Sequence, residues 1–336
     1  MRFSRLRTSK SYQSVILIFL LLFVFAAFLG GMRCGSLELS FGGILSTLWH
    51  ASPEDVNYQI LYNIRLPRVL LGGLVGAALA ISGAILQGVM RNPLAAPGII
   101  GVSAGGGLAG ILIMLVLPQF SGMLIPAAFC GALATALCVY LLAWRRGVNP
   151  VRLILSGVAV ASMLGAVSST VLILNAEKVA GILDFTVGSL SARSWDQLHL
   201  VKWYLFGGFL AAMVLAHKLN ILTLGDEIAT GLGVRVERLR FLLLAVSALL
   251  AASAVSVVGM LGFVGLIAPH MVRLILGSDY RFLIPGCALF GGCMVIVCDT
   301  VGRMVMDPME LPVGVIMSLL GPPFFLYLLR RRRHET

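Results

Sequence analysis

Residues 217–240 read HKLNILTLGDEIATGLGVRVERLR, a polar interruption between two long apolar runs at 201–216 and 241–258. Thr223, followed three residues later by Asp226, reads as a helix N-cap with an acid in the first turn, and Gly231 and Gly233 supply a stop. Leu224, Ile228 and Leu232 recur at i, i+4 and i+8, a narrow apolar stripe from which Asp226, Glu227 and Thr230 point away. A helix over 224–232 is roughly 13 Å long, too short for a hydrocarbon core of about 30 Å. It therefore lies on one side of a membrane. Taken alone it is either a well-capped connection or a rigid handle for a partner chain.

The rest of the chain supplies the membrane. Of 336 residues 59% are hydrophobic and 12% charged, with a mean hydropathy of +0.99, outside the range of soluble domains. Ten apolar runs can span, at 15–31, 69–90, 98–117, 123–144, 151–174, 201–216, 241–258, 260–276, 282–298 and 311–329, within one transmembrane domain over 1–336. The pair around Gly259 also reads as one broken helix. The net charge of +11 does not point to nucleic acid. With the N-terminus inside, the inner segments hold 18 of the 25 Lys and Arg residues, among them Arg2, Arg5, Arg7, Arg91, Arg145, Arg146 and Arg333. That asymmetry orients the chain with both termini in the cytoplasm. Trp49, Trp144, Trp195 and Trp203 fall near span ends, as an aromatic belt requires.

Local signals punctuate the runs. Pro67 marks a helix start, flanked by Arg65 and Arg68 on the outer side, where arginine serves either as an interfacial anchor or as a docking group. Pro93 and Pro97 forbid a continuous helix and make 91–97 a stiff inner elbow. Gly98, Gly101, Gly105, Gly106, Gly107 and Gly110 let neighbouring backbones approach closely in lipid. Residues 175–199 are long enough for a short outer surface helix. Pro269 should kink its helix and free a carbonyl. Leu79-Ala80-x-Ser82 with Gly88 matches Leu250-Ala251-x-Ser253 with Gly259 at a constant offset of 171, a faint inverted repeat of the kind transporters use.

No ionisable residue falls in the middle of a run, where proton- or sodium-coupled carriers place one; Asp299, Arg152 and Lys202 stand at run ends. No Walker A sequence is present, and His50, His199, His217, His270 and His334 form no metal or catalytic constellation. Two readings remain: a conduit driven by a separate ATPase, with the 224–232 helix taking the push, or an ion-coupled secondary transporter.

Several stretches together resemble the permease subunits of ABC importers for iron-siderophores, haem and cobalamin. They are Arg65-Leu66-Pro67-Arg68, Asn92-Pro93-Leu94-Ala95 with Pro97-Gly98 and Gly101-Val102-Ser103, and Leu224-Gly225-Asp226 through Leu232-Gly233-Val234. Gly262-Phe263-Val264-Gly265-Leu266 with Pro269-His270, and Glu310-Leu311-Pro312-Val313-Gly314-Val315, complete the set. The resemblance implies an all-α, ten-helix type II ABC importer permease fold in a bacterial inner membrane. It implies a second permease subunit, usually a copy, two ATP-binding subunits inside and a substrate-binding protein outside. ATP and Mg would belong to the partner, and no cofactor to this chain. Position by position, Leu224, Gly225, Asp226, Glu227, Ile228, Gly231 and Leu232 resemble the coupling helix. Arg65, Arg68 and Arg303 resemble arginines that dock the binding protein, and Asn92, Leu94, Pro150 and Val151 resemble inner gates. The cargo expected is an iron chelate, a siderophore before haem or cobalamin.

Overall fold

In hydrocarbon a backbone must satisfy its own hydrogen bonds, so apolar runs of this length become helices. The computed structural model describes residues 10–35, 42–44, 47, 55–145, 147, 149–306 and 309–332. Arg2, Arg5, Arg7, Arg146, Arg333, Trp49, His50 and His334 lie outside them. The helices are α1 (Lys10–Arg33), α2 (Leu66–Val89), α3 (Val102–Leu115), α4 (Leu124–Ala143) and α5 (Pro150–Leu174). There follow α6 (Trp195–Thr223), α7 (Asp226–Gly231), α8 (Val236–Val258), α9 (Val264–Leu276), α10 (Tyr280–Val305) and α11 (Val313–Arg332). Seven candidate spans are long and apolar enough to cross a membrane, and α3, α9 and the first part of α11 are shorter apolar helices. Each of the ten apolar runs carries one of these helices.

Local chemistry sets four boundaries. Pro67 stands in the first turn of α2, as the sequence implies, but no break precedes it: a π-helical stretch, Gln59–Arg65, leads into it and makes Val56–Val89 continuous. Helix α6 begins six residues before its apolar run, at a capping box in which the Ser194 amide bonds the Gln197 side chain at 2.9 Å. The outer segment forms only a 3₁₀ turn, Ala176–Ile182, and the five-residue helix Leu183–Val187. The pair around Gly259 is two helices, separated by 259–263, where Gly259 has φ +81 and Phe263 φ +64. Amides on either side satisfy that break: Ser189 donates to the Val258 carbonyl and Met260 to that of Phe185.

Helices α2 and α8 form the core, packed by α6, α9 and α10, whereas only 6% of the most apolar stretch of α5 is buried. Small residues set the spacing. A Cβ added at Gly76 would lie 2.2 Å from the Gly291 carbonyl oxygen, and one at Gly291 2.5 Å from that of Gly76. Helices α2 and α10 therefore touch backbone to backbone. Ser82 and Ser247 bridge α2 and α8, their hydroxyls 2.8 Å apart and each also facing the other's carbonyl. Ser253, the repeat counterpart of Ser82, instead donates to the Leu249 carbonyl of its own helix.

Pro269 explains another contact. Lacking an N–H, it leaves the Gly265 carbonyl without its helical donor, and Gly83 lies against that oxygen, where a Cβ would come within 1.8 Å. Gly83→Ala is expected to cost about 1–3 kcal/mol through overpacking, read as a lower unfolding temperature in detergent. Gly98→Ala, facing open space, is the control. Equal midpoints for the two variants would contradict this packing.

Candidate functional site

The 217–240 stretch folds differently from its predicted cap. Thr223 is the last residue of α6, its hydroxyl donating to the Asn220 carbonyl at 2.7 Å, so it closes one helix rather than opening the next. Gly225 caps α7 with its backbone alone at φ +119, a conformation that suits a residue without Cβ. Helix α7 is six residues long, with Leu224 and Leu232 at its two edges. Leu224, Ile228 and Leu232 are 58%, 54% and 61% exposed, an apolar stripe turned away from the protein. Glu227 and Gly231 are exposed beside it.

Asp226 faces the other way. It pairs with Arg91, and both its oxygens accept from Arg240 Nη2, at 3.0 and 2.9 Å. Arg240 is only 2% exposed and also bonds Glu237 at 2.9 Å. A guanidinium so buried needs its carboxylates, and Asp226 is one of them. The acid thus braces α7 against α8 and the 91–97 elbow. The neighbouring end of α6 is tied to α10, since Asn220 donates to Asp279 at 2.7 Å and accepts from the Tyr280 amide at 2.9 Å. The hydrogen bond from Arg281 pulls the Asp279 carboxyl down to about 2.

The elbow follows directly from this brace. Arg91 has φ +47, rare without glycine, and its side chain is held by Asp226. Asn92 then closes an Asx-turn, its Oδ1 accepting from the Leu94 amide at 2.9 Å. Leu94 is exposed and Asn92 half-buried. Pro150 opens α5 behind Asn149, whose Oδ1 accepts from the Val151 amide at 2.8 Å, and Val151 is exposed. Two aliphatic side chains, Leu94 and Val151, thus stand free where the chain leaves the spans.

The opposite end corrects a second expectation. Arg65, Arg68 and Arg303 do not stand on an exposed rim; all three are buried. Helix α1 ends with carbonyls that no helical amide can reach. Arg65 donates to the Met32 and Arg33 carbonyls at 2.8 and 3.0 Å, and Arg303 to those of Cys34 and Gly31 at 2.9 and 3.0 Å. Positive charge at a helix C-terminus also suits its dipole. Arg68 holds Asp299 through two bonds of 2.9 Å and Glu310 through one of 2.7 Å. Burial alone would raise the Glu310 carboxyl, but its bond to Arg68 reverses this and holds it below the usual range. The three arginines therefore fasten α1, α2 and α10 together.

Asp299, Glu310, Arg91 and Arg240 all do work that the sequence reading missed, and Arg193 is a further charge that it did not single out. The half-buried Arg193 follows Ala192, which has φ +54, and its Nε has no hydrogen-bond partner among the described residues. Burial lowers its pKa, against the attraction of Asp184.

Apolar helices around a glycine-spaced core, with a braced amphipathic helix at one end, define a multi-span membrane permease. The chain belongs to the FecCD transport family, which matches residues 18–331. It is 40% identical over 330 residues to the hemin transport system permease protein HmuU of Yersinia pestis, covering 96% of this chain and 97% of that one. It is 37% identical to the Fe(3+)-citrate import system permease protein YfmE of Bacillus subtilis, over 96% of this chain and 98% of the relative. With the cobalamin import system permease protein BtuC of Halobacterium salinarum it shares 42% identity, over 90% of this chain and 81% of the relative. A solved inward-facing structure of a metal-chelate type ABC transporter superposes with a TM-score of 0.83 at 29% identity, covering 95% of this chain and 99% of that one. The fold is thus that of a type II ABC importer permease, and the chain is a transporter subunit rather than an enzyme.

Proposed function

We propose that this chain conducts an iron chelate into the cytoplasm of a bacterium, an iron-siderophore first and haem or cobalamin as the alternatives, driven by two ATP-binding subunits seated on α7. The observation that carries this reading is the pairing of an exposed stripe, Leu224, Ile228 and Leu232, with an acid, Asp226, clamped to the elbow residue Arg91. A partner gripping the stripe moves α7, and the ion pair passes that displacement to Asn92 and Leu94. Val151 and Pro150 open the neighbouring helix and complete the inner gate.

The basic ends orient α7 and both termini to the cytoplasm of the inner membrane. A second copy of the chain covers α5, whose exposed face offers Ser162, Gly165, Ser169 and Thr170 beside Met163 and Val167, and the cargo passes along that face. Relatives of similar identity are named for hemin, ferric citrate and cobalamin, so cargo choice rests with the extracytoplasmic binding protein. That protein meets Arg193 and Glu310 at the outer end, with Arg65, Arg68 and Arg303 holding the surface from beneath.

Arg193→Glu is expected to weaken binding-protein docking, with the larger loss at low salt. Docking unchanged by charge or salt would remove that contact. The broader reading is tested in vesicles that hold the permease, with a radiolabelled ferric siderophore and its binding protein supplied outside. Uptake should require the ATPase and hydrolysable ATP. Full-rate uptake by this chain alone, or uptake that persists without ATP and collapses with the proton gradient, would overturn it.

A further inference from the structure

Between α4 and α8 runs a cavity of about 470 Å³ whose lining side chains are all apolar apart from Tyr140; Leu133, Leu137, Phe241 and Ala245 line it, with Leu153 from the buried side of α5. At the α7 end a second cavity of about 370 Å³ adjoins it, lined by Trp144, Glu237 and Arg238 and sharing Tyr140, Phe241 and Leu242 with the first. The two form one groove, greasy inside and polar at its mouth.

We propose that this groove binds one anionic phospholipid, with an acyl chain between α4 and α8 and the headgroup phosphate at Arg238. Three observations favour that occupant. From Phe241 to Leu249 the groove runs eight residues of helix, about 12 Å, most of the roughly 15 Å of hydrocarbon in one leaflet. Its mouth carries Tyr140 and Trp144, tilted rings with centroids 5.6 Å apart, and Phe241 edge-on to Tyr140 at 5.3 Å, aromatic groups of the kind that gather at headgroup depth. The charge there is basic: Arg238 lines the mouth and Arg145 follows Trp144 in the chain, both exposed and without an ion pair among the described residues, whereas Glu237 is turned to Arg240 at 2.9 Å. Basic groups between helix ends are what anionic headgroups select. The groove is also separate from the exposed face of α5 assigned to the second copy, because Leu153 contributes from that helix's buried side.

The test uses the full chain in mild detergent, offered phosphatidylglycerol or phosphatidylcholine and read by native mass spectrometry. Wild type should retain one phosphatidylglycerol per chain at activation energies that strip phosphatidylcholine. Arg145→Gln with Arg238→Gln should lower that retention roughly 25-fold, about fivefold per charge. Ala245→Trp, which fills the groove and leaves the charges alone, should abolish it. Equal retention of the two lipids, wild-type retention by either variant, or copy-to-copy cross-linking between cysteines placed at Leu137 and Leu242 would overturn the assignment.

Discussion

Replacing Asp226 by lysine is expected to cut ATP-driven uptake by about 100-fold, while the ATPase subunits still co-purify. The substitution sets a third cation beside Arg91 and the buried Arg240. Leaving a buried charged donor short of a partner costs about 3 kcal/mol, and about 3 kcal/mol corresponds to two decades. A six-residue helix has too few contacts of its own to hold its place once that anchor is gone. The apolar stripe is untouched, so association survives and transmission fails. Ile228→Glu should do the reverse and release the ATPase. The measurement is uptake and ATP hydrolysis in the same vesicles, with Asp226→Glu restoring part of the rate. Wild-type uptake by the lysine variant would refute the brace.

Arg68→Ala should destabilise the permease by about 3–5 kcal/mol, because Asp299 is left buried with its charge poorly matched. Asp299 is 2% exposed, and its remaining cation, Arg303, approaches only to 3.3 Å and is engaged with the carbonyls of α1. The loss is read as the unfolding temperature in detergent and as the yield of folded protein. Arg68→Leu with Asp299→Leu should recover part of it, since an apolar pair demands no solvation. A single variant as stable as wild type would show that the cluster is not internally coupled.

That cluster marks the boundary of what the chain alone discloses. Hydropathy places a helix in every apolar run, because lipid leaves the backbone no alternative. The spacing of Leu224, Ile228 and Leu232 reports an outward stripe because helical periodicity is local. The burial of the arginines is not legible because charge at a span end suits an exposed anchor, a docking group or a helix cap equally well. Only the placement of the last carbonyls of α1 beside Arg65 and Arg303 selects the cap. Asp226 is read correctly as a first-turn acid off the stripe, but its partner is not legible, since Arg91 is 135 residues away in sequence. The Ser194–Gln197 box, by contrast, was present in the residues as a readable signal, and the start of α6 could have been set by it. The break at 259–263 was visible as glycines, but not the partners that satisfy its amides.

The bare contact of Gly76 with Gly291 has a mechanical corollary. Most helix pairs slide by swapping rotamers, the side chains acting as bearings. At Gly76 and Gly291 there is none to turn, and a slip there drives carbonyl oxygens into α-carbons, while Val295 and Ile296 pack on either side. Helices α2 and α10 are therefore held in register at that point and move as a pair rather than past one another.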